Sequence, residues 1–160
     1  MKSKVYVETT IISYLAASPS RDLVVAAHQQ LTREWWEKRN RFELFVSQAV
    51  VDEASRGDAD VAARRVALLA QIPLLVVGDE AYEFAERLLR SRAVPAKANL
   101  DAVHIAVAAV NQVNYLVTWN CAHIANAAVR GKIEETCRAA GLLTPIICTP
   151  EELMEPSDNG

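Results

Sequence analysis

At 160 residues, with 51% hydrophobic and 23% charged side chains, the chain has the make-up of an ordinary globular protein and is long enough to bury a sizeable core. Its formal net charge of −3 argues against a wholly basic nucleic-acid binder but leaves room for a local basic patch. There is no long apolar run and no basic-then-apolar leader, so neither a membrane span nor secretion is expected. Three cysteines without metal-ligand spacing, Cys121, Cys137 and Cys148, read as small buried apolar residues in a reducing, cytoplasmic compartment.

The first predicted element is the apolar strand Lys4-Val5-Tyr6-Val7, which ends abruptly in Glu8-Thr9-Thr10. A short helix follows over residues 9–17, stopped by Ser18-Pro19-Ser20. Ser20 is the expected N-cap of a long helix from Arg21 to about Arg39, with Leu23, Val24, Ala27, Leu31, Trp35 and Trp36 at helical spacing. Residues 42–46 form the second strand. Ser47 then caps a helix through Ala49, Val50, Glu53 and Ala54, and Gly57-Asp58 separates it from another over residues 59–71. Residues 74–77 are the third strand, followed by a helix from Gly78-Asp79 to about Leu89. Asn99 opens a helix to Val110 that is apolar almost all round and should be buried. Residues 115–118 make the fourth strand, 122–140 a mainly helical stretch with Gly141 as its C-cap, 145–148 a fifth strand and 150–154 a last helical turn. Strands alternating with helices predict an α/β fold: a three-layer α/β/α sandwich around a mostly parallel sheet of about five strands. Residues 1–154 read as one domain, and 155–160 as a frayed polar tail.

In such a sheet, ligands bind just beyond the carboxyl ends of the strands, and the polar residues there draw attention. Glu8 closes the first strand. Glu53 shares the inward face of Ala49 and Val50, whereas Asp52 faces solvent with Gln48 and Ser55; an ordinary boundary glutamate paired with Arg56 or Arg21 would fit the same pattern. Asp101 lies in the first turn of the most apolar helix, where a charge needs a partner, a hydrogen bond or a metal, and where the helix dipole favours an anion. Asn120 follows the fourth strand and could equally cap the next helix; if that strand neighbours the first, about 4.8 Å away, Asn120 and Glu8 converge, with Thr9 and Thr118 adding hydroxyls. Crowded carboxylates repel, a divalent cation relieves the repulsion, and oxygen-only ligands suit Mg²⁺ or Mn²⁺. No phosphate-binding glycine loop or nucleophile elbow occurs.

The segments Val5–Ser13, Ser47–Glu53, Asp101–Ala106 and Leu116–Asn120, in this order and spacing, resemble the PIN-domain family, most closely the VapC-type toxins of bacterial type II toxin–antitoxin pairs. The resemblance implies a Rossmann-like sheet and a Mg²⁺- or Mn²⁺-dependent endoribonuclease that dimerises and is silenced by a cognate antitoxin. It also implies catalytic roles for Glu8, Glu53 and Asp101, with Asn120 where many members carry a fourth acid. On that likeness Glu8 and Asp101 hold the metal, Glu53 orients water and Asn120 completes the shell. Two departures stand out: the first acid is usually the shorter Asp, and the fourth position here is an amide. A catalytically weak RNA- or protein-binding module, or a hydrolase of small phosphate compounds, are the competing readings.

Among the remaining polar residues, His104 and His123 lie three positions after Asp101 and Asn120 and read as supporting groups, His104 as a core histidine hydrogen-bonded near the site. Lys97, Arg21 and Arg56, with Arg64 and Arg65, are candidate phosphate contacts. Trp35-Trp36 reads as core or dimer packing, and His28 as structural.

Overall fold

The computed structural model describes residues 1–156. Five strands, β1 (Lys4–Val7), β2 (Glu43–Ser47), β3 (Leu74–Leu75), β4 (Tyr115–Val117) and β5 (Ile146–Cys148), form one sheet in the order β3-β2-β1-β4-β5. Every pairing is parallel, so the mostly parallel sheet expected from the alternation is wholly parallel. Seven helices flank it: α1 (Thr9–Ala16), α2 (Leu23–Glu37), α3 (Gln48–Ala54), α4 (Ala59–Leu69), α5 (Asp79–Arg90), α6 (Asn99–Val110) and α7 (Ala127–Ala139). This is the three-layer α/β/α arrangement, and among the described residues no helix is long and apolar enough to cross a membrane.

The strand order reverses between β1 and β4. From β1 the chain builds outward through β2 to β3; it then returns to the other side of β1 for β4 and β5. Such a switch point opens a crevice at the carboxyl ends of the two central strands. Val7 pairs with Val117, and the Glu8 amide donates to the Val117 carbonyl at 3.1 Å, so Glu8 and Thr118 emerge side by side. Strand β1 is buried over Val5, Tyr6 and Val7, as a central parallel strand covered on both faces must be.

Helix α6 buries Ala102, His104, Ile105, Ala106, Val107, Ala108 and Ala109, the all-round burial its composition implies. Trp35 is fully buried and Trp36 packs against the same core. Arg64 and Arg65, two of the candidate phosphate contacts, are instead used inside the fold: Arg64 donates to the Ala16 carbonyl at the end of α1, and Arg65 to the Ala54 and Arg56 carbonyls at the end of α3. Their charges cap helix C-termini, where carbonyls lack intrahelical partners.

Several boundaries differ from the sequence expectation for identifiable reasons. Helix α2 is capped by Asp22, which accepts from Val25 N, while Ser20 accepts one step earlier from Asp22 N. Ser47 stands at the N-cap position of α3, but its hydroxyl bonds the Tyr6 hydroxyl rather than the helix. Strand β3 is short because Val76 turns away and is 75% exposed. The stretch 122–126 is not helical: the Asn120 carbonyl takes the amides of Ile124 and Ala125, and a new cap, Asn126, starts α7. Cys137 and Cys148 are buried as expected, whereas Cys121 sits in this turn and is exposed. Residues 150–154 form turns rather than a helix. Of the expected frayed tail, Glu155 pairs with Arg41 at 2.5 Å, and residues 157–160 lie outside the described residues.

Ile105, fully buried at the centre of α6, tests the packing. Ile105→Ala is expected to cost about 2–5 kcal/mol in a urea unfolding titration; an unchanged midpoint would show that α6 does not carry the core.

Candidate functional site

The site grows from the end of β1. Glu8 leaves the strand in extended conformation and becomes the N-cap of α1. Its Oε2 accepts from Thr10 N at 2.7 Å, Thr10 Oγ1 at 2.5 Å and Thr118 Oγ1 at 3.1 Å. Only 3% of Glu8 is exposed, so it is not a strand-end charge facing water. Burial pushes its carboxyl up, and the His104 charge with the Thr10 and Thr118 hydrogen bonds offsets only part of that.

Glu53 arrives from α3. Its Oε1 accepts from Thr9 Oγ1 at 2.8 Å and from His104 Nε2 at 2.5 Å. Burial alone would raise its pKa, but the hydrogen bond and charge of His104, the Thr9 hydroxyl and the nearby Arg56 outweigh it, and the carboxyl is held low. Glu8 and Glu53 are thus driven in opposite directions.

His104 is completely buried, and both ring nitrogens are engaged: Nε2 with Glu53, and Nδ1 with the Tyr6 hydroxyl at 2.7 Å, which meets Ser47 Oγ at 2.7 Å. A carboxylate at Nε2 requires a proton there. In the neutral ring, Nδ1 then accepts from Tyr6 and Tyr6 accepts from Ser47. In the imidazolium both hydroxyl bonds reverse, so the network is satisfied in either state. Burial, with the charges of Glu8 and Glu53, pushes the Tyr6 phenol far up, and only the Ser47 bond opposes this. Tyr6 therefore remains a neutral donor.

Asp101 extends from the first turn of α6, and its Oδ2 accepts from His123 Nδ1 at 2.9 Å. Asn120 Oδ1 takes the His123 backbone amide at 3.0 Å, and its own amide donates to Thr118 Oγ1 at 2.9 Å. A hydrogen-bonded series therefore runs from Glu8 through Thr118, Asn120 and His123 to Asp101. The carbonyl by which Asn120 could orient water is engaged in this turn, as in an Asx cap.

Glu53, Asp101, His123, Lys97 and Asn99 line one cavity of about 490 Å³. Glu8 does not line it and is buried at the carboxyl end of β1. Of the candidate phosphate contacts, Lys97 lines the cavity, Arg56 is felt by Glu53, and Arg21 is exposed just ahead of α2 and lines no part of it. His28 stacks on Trp119 with centroids 4.0 Å apart, Tyr14 stands edge-on to both, and Trp119 N donates to Thr10 Oγ1. Three participants escaped the sequence reading: Tyr6, Ser47 and Thr10. Tyr6 carried a signal, since it lies two positions before Glu8 and so on the same face of an otherwise aliphatic strand.

The donor chemistry can be weighed against a divalent cation. Each carboxylate uses one oxygen within the protein, Glu8 Oε2, Glu53 Oε1 and Asp101 Oδ2, and leaves the other without a partner among the described residues. These are hard oxygen donors, but among the described residues no three His, Cys, Asp or Glu side chains stand together as a cage. The set fits an ion that keeps most of its waters and takes one or two carboxylates, as Mg²⁺ commonly does. A comparison with protein-family models finds no match to the chain, and a comparison with curated proteins finds none.

The opposed shifts make a stability prediction. Glu8, with its pKa above the ordinary 4.5, favours the folded state when protonated; that contribution is full below 4.5 and is lost as pH rises through the raised value. Glu53, held below 4.5, stabilises above that value and loses its contribution as pH falls through its lowered pKa. With chelator present, Glu8→Gln is expected to melt higher than wild type at about pH 8, and the gap should close towards about pH 4. A gap independent of pH would mean that Glu8 does not bear a buried charge.

Proposed function

We propose that the chain is a Mg²⁺- or Mn²⁺-dependent endoribonuclease of the PIN-domain, VapC-like kind, hydrolysing RNA phosphodiester bonds with an activated water. The supporting observation is that Glu53 and Asp101 line one cavity, that Glu8 at the end of β1 is linked to Asp101 through Thr118, Asn120 and His123, and that each carboxylate is anchored through one oxygen and open at the other. By the same resemblance the protein would act in the cytoplasm as a homodimer, held silent by a cognate antitoxin.

Glu8 and Asp101 are the residues that would hold the ion. When bound, it would lower the pKa of water and neutralise charge on the phosphate. Glu53 is kept ionised by His104, Thr9 and Arg56, so its free Oε2 accepts a hydrogen bond from the attacking water and orients it. His104 fixes the Glu53 rotamer through Nε2 and is itself fixed by Tyr6. Lys97, in the wall of the cavity, binds a phosphate oxygen. His123 is oriented by Asp101 at Nδ1, which leaves Nε2 free towards the substrate, an acceptor in the neutral ring and a donor to a phosphate oxygen in the imidazolium.

A second reading, a PIN-like module that binds RNA or protein with little catalysis, draws on different observations: the missing three-ligand cage, the engaged Asn120 carbonyl and the pairing of Asp101 with His123. Cleavage of a labelled single-stranded RNA, with Mn²⁺ or with chelator, separates the two. Mn²⁺-dependent cutting that falls at least about 100-fold in Asp101→Asn, the rate equivalent of several kcal/mol of Lewis-acid stabilisation, supports the nuclease. RNA binding without Mn²⁺-stimulated cutting would sink it in favour of the binding module.

A further inference from the structure

Away from the acidic cavity, cations gather in one concave place. Arg87 and Arg90 in the last turn of α5 and Lys132 on α7 line a groove of about 470 Å³, with Ser91, Thr136 and a single acid, Glu135. The Ser91 and Thr136 hydroxyls meet at 3.1 Å between the two helices. Both arginines have a glutamate one turn earlier, Glu83 and Glu86, at the spacing that commonly makes helix ion pairs. Neither pair forms: among the described residues the ion pairs are Arg41–Glu155, His104–Glu53 and His123–Asp101.

Five of the ten other arginines have side-chain partners among the described residues. Arg33 bonds Gln30, and Arg39 bonds the Trp36 carbonyl and lies over its ring. Arg41 holds Glu155 and the Leu153 carbonyl, and Arg64 and Arg65 hold helix ends. The groove thus carries three cations against one acid on a chain whose formal charge is −3. Guanidinium forks are the usual donors to phosphate oxygens, and it is these that the groove offers, since the Ser91 and Thr136 hydroxyls donate to the Leu88 and Lys132 carbonyls.

We propose that the α5–α7 groove binds the phosphodiester backbone of the RNA strand whose scissile bond lies in the acidic cavity; the choice of RNA rests on the nuclease reading. The cavity sets two acids, Glu53 and Asp101, against one cation, Lys97, so it repels a polyanion on its own account. A substrate strand needs cations nearby, and the two places are joined by one short segment. Ser91 at the groove and Asn99 at the cavity are eight positions apart, at most about 28 Å along the chain. No aromatic residue lines the groove, so it offers backbone contacts rather than base stacking, and binding there is insensitive to sequence.

The test is fluorescence anisotropy of a labelled oligouridine across a salt series, with chelator present so that binding is read whether or not the chain cuts. Three phosphate contacts at about 0.7 each should contribute roughly 2 to the slope of log affinity against log salt. The variant Arg87→Ala, Arg90→Ala, Lys132→Ala should lose that slope and bind at least about 10-fold more weakly at low salt. The lysine-retaining Arg87→Lys, Arg90→Lys pair should keep the slope. A charge-matched control, Lys2→Ala, Lys38→Ala, Arg138→Ala, should keep both slope and affinity; all three sites are exposed and outside the groove. Oligodeoxythymidine should compete through the same phosphodiester chemistry, and poly-glutamate of equal charge should compete worse. The proposal is overturned by an unchanged slope in the triple variant, by an equal loss in the control, or by poly-glutamate competing better. Failure of the nuclease reading looks different: wild type would then show the expected slope yet leave RNA intact with Mn²⁺.

Discussion

The structure turns on a carboxylate buried where β1, α1 and β4 meet. Glu8 is the residue at which a hydrophobic strand stops, and its Oε2 ties together the Thr10 amide in the first turn of α1, the Thr10 hydroxyl and the Thr118 hydroxyl. Thr10 in turn receives the Trp119 amide, and Thr118 receives the Asn120 amide. One oxygen atom therefore sets the angle at which α1 leaves the sheet and the path of the chain beyond β4. Burying a charge there opposes folding, and the helix N-terminus and three donors offset only part of that cost. The residual is seen in the upward shift of the carboxyl, and it leaves a group that gains from any cation brought to it.

The second polar feature, Ser47-Tyr6-His104-Glu53, passes through the core rather than around it. A histidine with no exposure is costly unless both nitrogens are satisfied. Here the sheet supplies Tyr6 and Ser47 from adjacent strands, and α3 supplies Glu53. Because hydroxyls donate or accept by rotation, the network tolerates either state of the imidazole. It couples a rigid, fully packed interior to a carboxylate that is still a quarter exposed, which is how an orienting residue keeps its geometry without being sealed from solvent.

Alternation of strands and helices was enough to read the α/β class, because long-range topology here follows from local periodicity; the carboxyl-edge rule then singled out Glu8 and Asn120, and Asp101 stood out as a charge in the first turn of the most apolar helix. The details that were not legible are those set by competition between partners. Ser20 and Asp22 are both good caps, and only the geometry of the turn decides for Asp22. Ser47 looks like a cap by position, yet a buried tyrosine hydroxyl claims it. Asn120 looked able to serve a ligand or a turn, and the three amides that follow it settle where its oxygens go. Arg64 and Arg65 read as candidate phosphate contacts because nothing in a helical repeat reveals that a neighbouring helix ends beside it.

The extra methylene of Glu8 can be understood from the same chain. Asp58 and Asn126 both accept from the amide two residues ahead, so the shorter side chain is sufficient for the local cap. Glu8 makes the equivalent bond to Thr10 N, and in addition spans to Thr118 just past the end of the neighbouring strand. A carboxylate one methylene shorter keeps the first contact and draws back from the second. The glutamate is therefore matched to threonine at position 118: it closes the gap between the two central strand ends and fixes β4 relative to α1. That match also turns Oε2 inward and leaves Oε1 as the one oxygen without a partner among the described residues, so the cross-strand tie limits Glu8 to a single free ligand atom.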